Sequence, residues 1–206
     1  MKAEEINKQE VYRYLGYRGG AEPDKETAKR IDGCIAQIAD AAQPRRAVKR
    51  MPLTICPDEE NTLLFGGMRV KSRNLSHHLA GCTEVAVFAA TVGIGVDRLI
   101  KRASISGMAD AAILQAAGAA AVEAVCDQVE EEICRAAAGD GLKARRRFSP
   151  GYGDFALSHQ PEVLSMVNAA KLTGITLTDG YLMVPSKSVT AVIGLYIEET
   201  GDQDAC

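Results

Sequence analysis

The sequence predicts an α+β fold in a single domain, C-shaped or bilobed. Strand-like and helical segments alternate irregularly instead of in regular βα units, and short β-branched runs gather towards the carboxyl end. A long alanine-rich helical tract occupies the middle. The 206 residues suffice for one substantial core or two small lobes, and no linker or internal repeat divides them.

The first sixteen residues suggest a short amphipathic helix with Ile6, Val11, Tyr14 and Leu15 on one side, stopped by Gly16 and then Gly19-Gly20. Asp24 is suited to cap a second helix, in which Ala28, Ile31, Ile35 and Ile38 recur at helical spacing up to Pro44. Arg46 to Leu53 reads as a strand or extended arm, and Thr62–Phe65 as a strand ending in the Gly66-Gly67 turn. Ser72 or Asn74 caps a short helix through Leu75 and Leu79, closed by Gly81. The continuously apolar run Val85–Ala90 is a buried strand, followed by the turn Thr91-Val92-Gly93-Ile94-Gly95 into a helix near Asp97.

The long tract from about Met108 to Arg135 carries a stripe of Ala111, Leu114, Gly118, Ala119, Val122, Val125, Cys126, Val129 and Ile133. Gly139 and Gly141 end it. Arg147 to Tyr152 is extended or turning, because Pro150-Gly151 does not fit a helix interior. Pro161-Glu162 opens a helix through Val163, Leu164, Val167 and Ala170, closed by Gly174. Ile175–Leu177, Tyr181–Val184 and Val189–Ile197 read as three short strands.

Composition narrows the function. A formal net charge of -3, with basic and acidic residues mostly alternating, gives no electrostatic case for nucleic acid. The polar, acidic start has no signal-peptide character, and no run reads as long and apolar enough to span a bilayer; Ala116–Val125 comes nearest, interrupted by Glu123. The six cysteines (Cys34, Cys56, Cys82, Cys126, Cys134, Cys206) form no CxxC pair, so reduced, mostly buried thiols are expected and no metal site. A cytoplasmic chain is the expectation.

Gly93-Ile94-Gly95 sits between strand and helix, but Arg98 stands where a dinucleotide fingerprint needs a third small residue. A tight strand-to-helix turn is therefore expected. His77 and His78 are adjacent and point apart on a helix, and His159 stands alone, which argues against metal or hydrolytic chemistry. Arg147 can grip a carboxylate through paired charge-assisted bonds. Gly151 lets backbone approach a ligand, Pro150 fixes the chain direction, and Tyr152 offers a flat face with a hydroxyl. This set suits a ligand with an amino-acid head and an aromatic base, yet Pro-Gly-Tyr is equally a common turn. Glu123 interrupts the small-residue helix beside Val122 and Cys126, either as a boundary carboxylate facing water or as a contact to a sulfonium or ribose.

Four segments occur in a telling order: Val122-Glu123-Ala124, Arg147-Phe148-Ser149-Pro150-Gly151-Tyr152, Thr173-Gly174-Ile175-Thr176-Leu177-Thr178 and Met183-Val184-Pro185-Ser186-Lys187-Ser188-Val189. They resemble the activation (reactivation) domain of cobalamin-dependent methionine synthase in its stand-alone form, over the whole of residues 1–206 and most strongly over 122–189. Tyr14-Leu15-Gly16-Tyr17 and the Thr91-Val92-Gly93 turn are further, weaker matches. The resemblance implies a twisted, mainly antiparallel sheet with flanking helices. It also implies an S-adenosylmethionine-binding reactivation subunit supporting reductive methylation of cob(II)alamin on a partner methionine synthase, a methyltransferase activity of methionine biosynthesis. Cobalamin would be carried by the partner, and the electron would come from flavodoxin or another donor. On the same resemblance Arg147 binds the methionine carboxylate, backbone at Ser149 and Gly151 contacts the ligand, Tyr152 lines the pocket and Glu123 makes a polar contact. No side chain is catalytic, because the nucleophile is the reduced cobalt, and the chain is not a complete enzyme alone. Tyr196 is the nearest candidate for a late tyrosine of the family, at a different spacing, and an aspartate that the family places near the domain start has no counterpart. The chain contains no Asp-x-His-x-x-Gly sequence of its own for cobalamin. Two alternatives remain: a docking module for a corrinoid protein that does not use S-adenosylmethionine, and a reactivator of another corrinoid methyltransferase.

Overall fold

The computed structural model describes residues 1–198, and Cys206 lies outside them. In chain order the elements are α1 (Lys8–Tyr14), α2 (Lys25–Ala41), β1 (Arg45–Pro52), β2 (Thr54–Ile55), β3 (Thr62–Phe65), β4 (Met68–Lys71), α3 (Arg73–His78), β5 (Glu84–Thr91) and α4 (Ile94–Ser106). There follow α5 (Met108–Gly139), β6 (Lys143–Ala144), α6 (Gln160–Met166), α7 (Ala169–Leu172), β7 (Thr176–Leu177), β8 (Met183–Val184) and β9 (Ser188–Tyr196). One four-stranded sheet has the order β1-β5-β9-β6, with β6 antiparallel to β9. Strands β2, β3 and β4 form an antiparallel sheet, and β7 pairs antiparallel with β8. The α+β class holds, because two sheets are made of consecutive antiparallel strands and the third joins distant segments, with no run of successive βα units.

The chain clusters into two compact units that interleave along the sequence. The first takes Met1–Ala47, Ala89–Gln128 and Asn168–Val189; the second takes Val48–Phe88, Val129–Val167 and the chain from Thr190 onward. Strands β1, β5 and β9 and helix α5 each contribute residues to both.

In the first unit, Asn7 caps α1 by accepting from the Gln9 and Glu10 amides, and Asp24 caps α2 by accepting from Glu26 and Thr27, both at 2.9 Å. Ile31, Ile35 and Ile38 bury one face of α2 as their spacing requires. The amino-terminal helix differs from expectation. A short 3-10 turn, Ala3–Glu5, precedes α1, and the helix buries Val11 and Tyr12 while Tyr14 stays 41% exposed. Starting the helix after Asn7 rotates Tyr12 inward and Tyr14 outward. The Gly93-Ile94-Gly95 turn is a packing device: a Cβ on Gly95 would lie 2.4 Å from the Ala41 carbonyl oxygen, and one on Gly93 3.1 Å from that of Gln43. Gly93 also takes φ +85, which costs a residue with a side chain.

In the second unit, Gly66 and Gly67 close the β3–β4 hairpin with positive φ at both positions, the geometry that matches strand twist. Gly66 also admits Met166 and Met51, whose sulfurs lie 2.6 and 2.7 Å from where its Cβ would stand. Ser72 caps α3 by accepting from the Leu75 amide at 3.0 Å. Arg50 clamps Glu84 through two N–H groups and also pairs with Asp140. The single helix expected over 161–170 is two. Asn168, in the left-handed region at φ +53, breaks α6 from α7, so Ala169 is buried where Ala170 was expected.

Helix α5 buries all of its expected stripe except Ala119, which is half-buried. Ile113, Ala116, Ala117, Ala120 and Ala121 are buried as well, so its central turns are covered nearly all round. Contrary to the sequence expectation, α5 is long and apolar enough to cross a membrane, because its few charges leave an apolar window; 61% of that window is buried within the chain, the pattern of a core helix.

Candidate functional site

The Arg147–Tyr152 segment leaves a β-ladder in the second unit. Lys143 pairs with Tyr196 and Ala144 with Leu195. The Arg145 amide donates to the Gly194 carbonyl at 2.8 Å, and Phe148 and Val192 exchange two hydrogen bonds of 2.9 Å. Gly194 is required on β9, because a Cβ there would meet Cys82 Sγ and Leu79 Cδ2 at 2.6 Å. Beyond Phe148 the chain turns on itself: Tyr152 donates to the Ser149 carbonyl at 3.1 Å, Phe155 to that of Tyr152 at 3.0 Å, and Gly151 to that of Phe155 at 2.7 Å. Gly151 sits at φ +96, and Pro150 is buried beneath it. The turn holds Tyr152 68% exposed.

Asp154 pins this loop. Its carboxylate accepts from the Ser72 hydroxyl at 2.5 Å and from the Arg73 and Asn74 amides at 2.7 and 3.0 Å, so it caps α3 from outside. The Ser72 bond, followed by those amides, holds the Asp154 carboxyl below the usual carboxylate range. Gly153, at φ +55, is packed so that a Cβ would lie 2.7 Å from Asn74 Nδ2. The sequence held no local sign of this lock, because its halves are 82 residues apart.

An aromatic row backs the turn. Ring centroids are 5.1 Å apart for His78–Phe148, 6.5 Å for Phe148–Phe155 and 5.6 Å for Phe155–His159, with Tyr152 6.4 Å from Phe148 at its exposed edge. His78 Nε2 lies 2.7 Å from the Arg146 carbonyl oxygen and His159 Nδ1 3.0 Å from Glu162. Both histidines are thus hydrogen-bonded.

Arg147 stands behind the turn. Its Nη1 donates to Glu130 Oε2 at 2.5 Å, with side-chain exposures of 25% and 21%. Glu130 escaped the sequence reading, although it lies seven residues beyond Glu123 and so shares a helical face with it on α5. Tyr196 marks the far end of the same ladder: Arg145 lies over its ring at 4.9 Å, and it stands four residue steps, roughly 13 Å, along the strand from Val192 opposite Phe148. Arg145 and Cys82 also meet; burial pushes the Cys82 thiol up, opposed by that guanidinium.

Ser149, Gly151 and Tyr152 thus share one turn, and Arg147, two residues before it, is bonded to Glu130. Glu123 belongs to the first unit, half-buried on α5. There Tyr14 senses it: burial first, and then the Glu123 charge, push the Tyr14 hydroxyl up. The same unit joins two other pieces singled out in the sequence. The Lys187 carbonyl accepts from the Val92 amide at 3.1 Å and the Thr91 hydroxyl at 3.2 Å, and Ser188 Oγ lies 2.8 Å from Thr91 Oγ1. Asp97 accepts from the Ser186 amide and hydroxyl at 2.7 and 2.8 Å. Burial pulls the Lys187 amine down, opposed by Asp97.

No protein-family model and no curated protein matches the chain. Among solved structures it is similar to the crystal structure of the MetH reactivation domain bound to AdoHcy. The TM-score is 0.71 at 14% identity, over 98% of this chain and 78% of that one. At that identity the likeness is one of fold, and it agrees with the resemblance carried by the four sequence motifs.

Proposed function

We propose that the chain is a reactivation module: it binds S-adenosylmethionine and presents it to cobalamin held by a partner methionine synthase. The observation that supports this most is the preformed turn at residues 149–152. Gly151 at positive φ, buried Pro150 and the Asp154 lock hold Tyr152 out in solvent, with the Arg147 guanidinium half-buried behind it. The turn offers a flat aromatic face, a backbone position without a Cβ and a charged donor within six residues. The parts fit the ligand class. Arg147 would engage the amino-acid carboxylate, the backbone at Ser149 and Gly151 would approach the ligand, and Tyr152 would cover an aromatic base. Glu123 and Tyr196 are the remaining residues that the sequence resemblance implies.

S-adenosylmethionine supplies the methyl group when bound. The residues of this chain need only position it, a task in which geometry does most of the catalysis. No general base is required of them. The electron donor, flavodoxin or another, and the cobalamin module belong to the partner side of this proposal, as does a cytoplasmic setting.

Isothermal titration with S-adenosylmethionine and S-adenosylhomocysteine tests the reading, alone and with a methionine synthase lacking its own reactivation domain. Binding is expected, weakened by about 2–4 kcal/mol in Arg147→Ala, the cost of removing one partner of a covered charge pair. The Arg147–Glu130 ion pair gives the rival reading, a docking module that ignores S-adenosylmethionine, its own footing, since it occupies Arg147 structurally. On that reading no titration heat appears in either setting, and an Arg147→Ala, Glu123→Ala double variant stimulates partner turnover as the parent does.

A further inference from the structure

We infer that Lys187 is an acyl-acceptor site, an amine placed to take an activated acyl group from a thioester or an acyl phosphate. The inference is independent of the S-adenosylmethionine reading and lies wholly within the first unit. The main chain around Lys187 is fixed. Its carbonyl accepts from the Val92 amide at 3.1 Å and the Thr91 hydroxyl at 3.2 Å, and Ser188 Oγ donates to the Pro185 carbonyl at 2.7 Å. The lysine stem packs against α5 where Gly118 leaves a gap beside Val96 and Ile100 of α4. A Cβ on Gly118 would stand 3.3 Å from Lys187 Cε, 3.3 Å from Val96 Cγ1 and 3.5 Å from Ile100 Cδ1, so a larger residue there would compete with the lysine for the space.

The amine at the end of this stem has no hydrogen bond or ion pair among the described residues, whereas Lys8 and Lys143 are paired with Asp32 and Glu198. Asp97, the charge that acts on it, is committed elsewhere: its two oxygens accept from the Ser186 hydroxyl and amide. The amine nevertheless keeps an opening to solvent, since the one side-chain nitrogen or oxygen fully buried without a partner among the described residues is Arg145 Nε. Desolvation, opposed by Asp97, holds the Lys187 amine below the usual lysine range and so enlarges its free-amine share near neutral pH. In the step, the free-amine nitrogen attacks the acyl carbon and a C–N bond forms. The C–S bond to the thiol, or the C–O bond to the phosphate, breaks with its electron pair, and the amine's proton passes to that leaving group. The product amide is uncharged, so acylation removes an ammonium that is costly to cover.

The test incubates the full chain with acetyl phosphate and, separately, with acetyl-coenzyme A, and follows acetylation of each lysine by peptide mass spectrometry. Lys187 should react roughly threefold or more faster than the exposed Lys29 and Lys101 with at least one donor, and the donor that works identifies the source. In the urea-unfolded chain the three should react alike, because the packed stem is released. Gly118→Leu, which fills the gap, should bring Lys187 to the rate of Lys101 in a chain that thermal melts show to be folded. A Lys187 rate at or below that of the exposed lysines with both donors overturns the inference and makes Lys187 a shielded amine. A preference that survives unfolding overturns it too, since it would belong to the neighbouring serines and not to the fold, as does one that survives in folded Gly118→Leu. Should Gly118→Leu fail to fold, the rates in the native and unfolded parent decide.

Discussion

Two glycine-bearing turns in this chain each do the opposite of what their sequence context suggests. Gly93-Ile94-Gly95 follows a buried strand and starts a helix, the setting of a nucleotide loop; Pro150-Gly151 looks like an ordinary surface turn. In the structure the first is closed against main chain, with the Ala41 carbonyl 2.4 Å from where a Gly95 Cβ would be. The second is open: a Cβ on Gly151 would meet only Leu157 Cδ1, at 3.5 Å, and the neighbouring Tyr152 ring faces solvent. A glycine kept by backbone contact serves packing, and a glycine kept by φ alone leaves room for something else. That difference makes the second turn the better candidate for a ligand.

Gly95→Ala should break the first turn hardest. The new methyl would collide with main chain that has no rotamer to yield, so α2 and α4 must part; about 3 kcal/mol of stability should be lost, the upper part of the range for overpacking. Urea unfolding followed by circular dichroism would measure it as a lower midpoint with an unchanged slope. A loss under about 0.5 kcal/mol would mean that the packing account of this turn is wrong.

Gly151→Ala should have a smaller and different effect. The cost is conformational, about 1–2 kcal/mol for placing a side chain at positive φ, because the contact to Leu157 is ordinary. The fold should survive, and S-adenosylhomocysteine affinity should fall more than stability does, since the turn presents Tyr152. Equal losses of stability and affinity would erase the contrast between the two turns.

The legibility of the chain divides along the same line. Caps and core faces were readable because they depend on neighbours a few residues away: Asn7 apart, Asp24, Ser72 and the Ile31-Ile35-Ile38 stripe all stand where their spacing places them. The two-residue strands β2 and β6 have no periodicity of their own, being ordered by their partners β3 and β9. Asn168 breaks a helix that the apolar pattern continues through, since the pattern records burial and not φ. At the candidate site, Arg147 and the Pro150-Gly151-Tyr152 turn were visible, whereas Glu130 and Asp154 were not. A glutamate on a helix gains meaning only once Arg147 is seen against it, and Asp154 only once Ser72 is.

Asp154→Asn should have the mildest effect of the three and a pH signature. The carboxyl is held below its ordinary value in the folded chain, chiefly by the Ser72 hydroxyl and then by the Asn74 and Arg73 amides. A depressed carboxyl contributes stability that is fully present above its unfolded pKa, about 3.9, and is lost as pH falls from there through the folded value. At pH 7 the parent should therefore be the more stable, with a higher urea midpoint than Asp154→Asn. As pH falls below about 4 the two midpoints should converge, because protonation removes from the parent what the substitution has already removed. Ser72→Ala should narrow the gap at pH 7 in the same way, since it deletes the strongest partner. The consequence reaches the open turn and not the closed one: with Asp154 neutral, the charge in its tie to α3 is lost, and hydrogen exchange at the Gly151 and Phe155 amides should quicken while the Gly93–Gly95 region keeps its rate. Equal acceleration at both turns would show that Asp154 supports the whole fold and not the candidate loop.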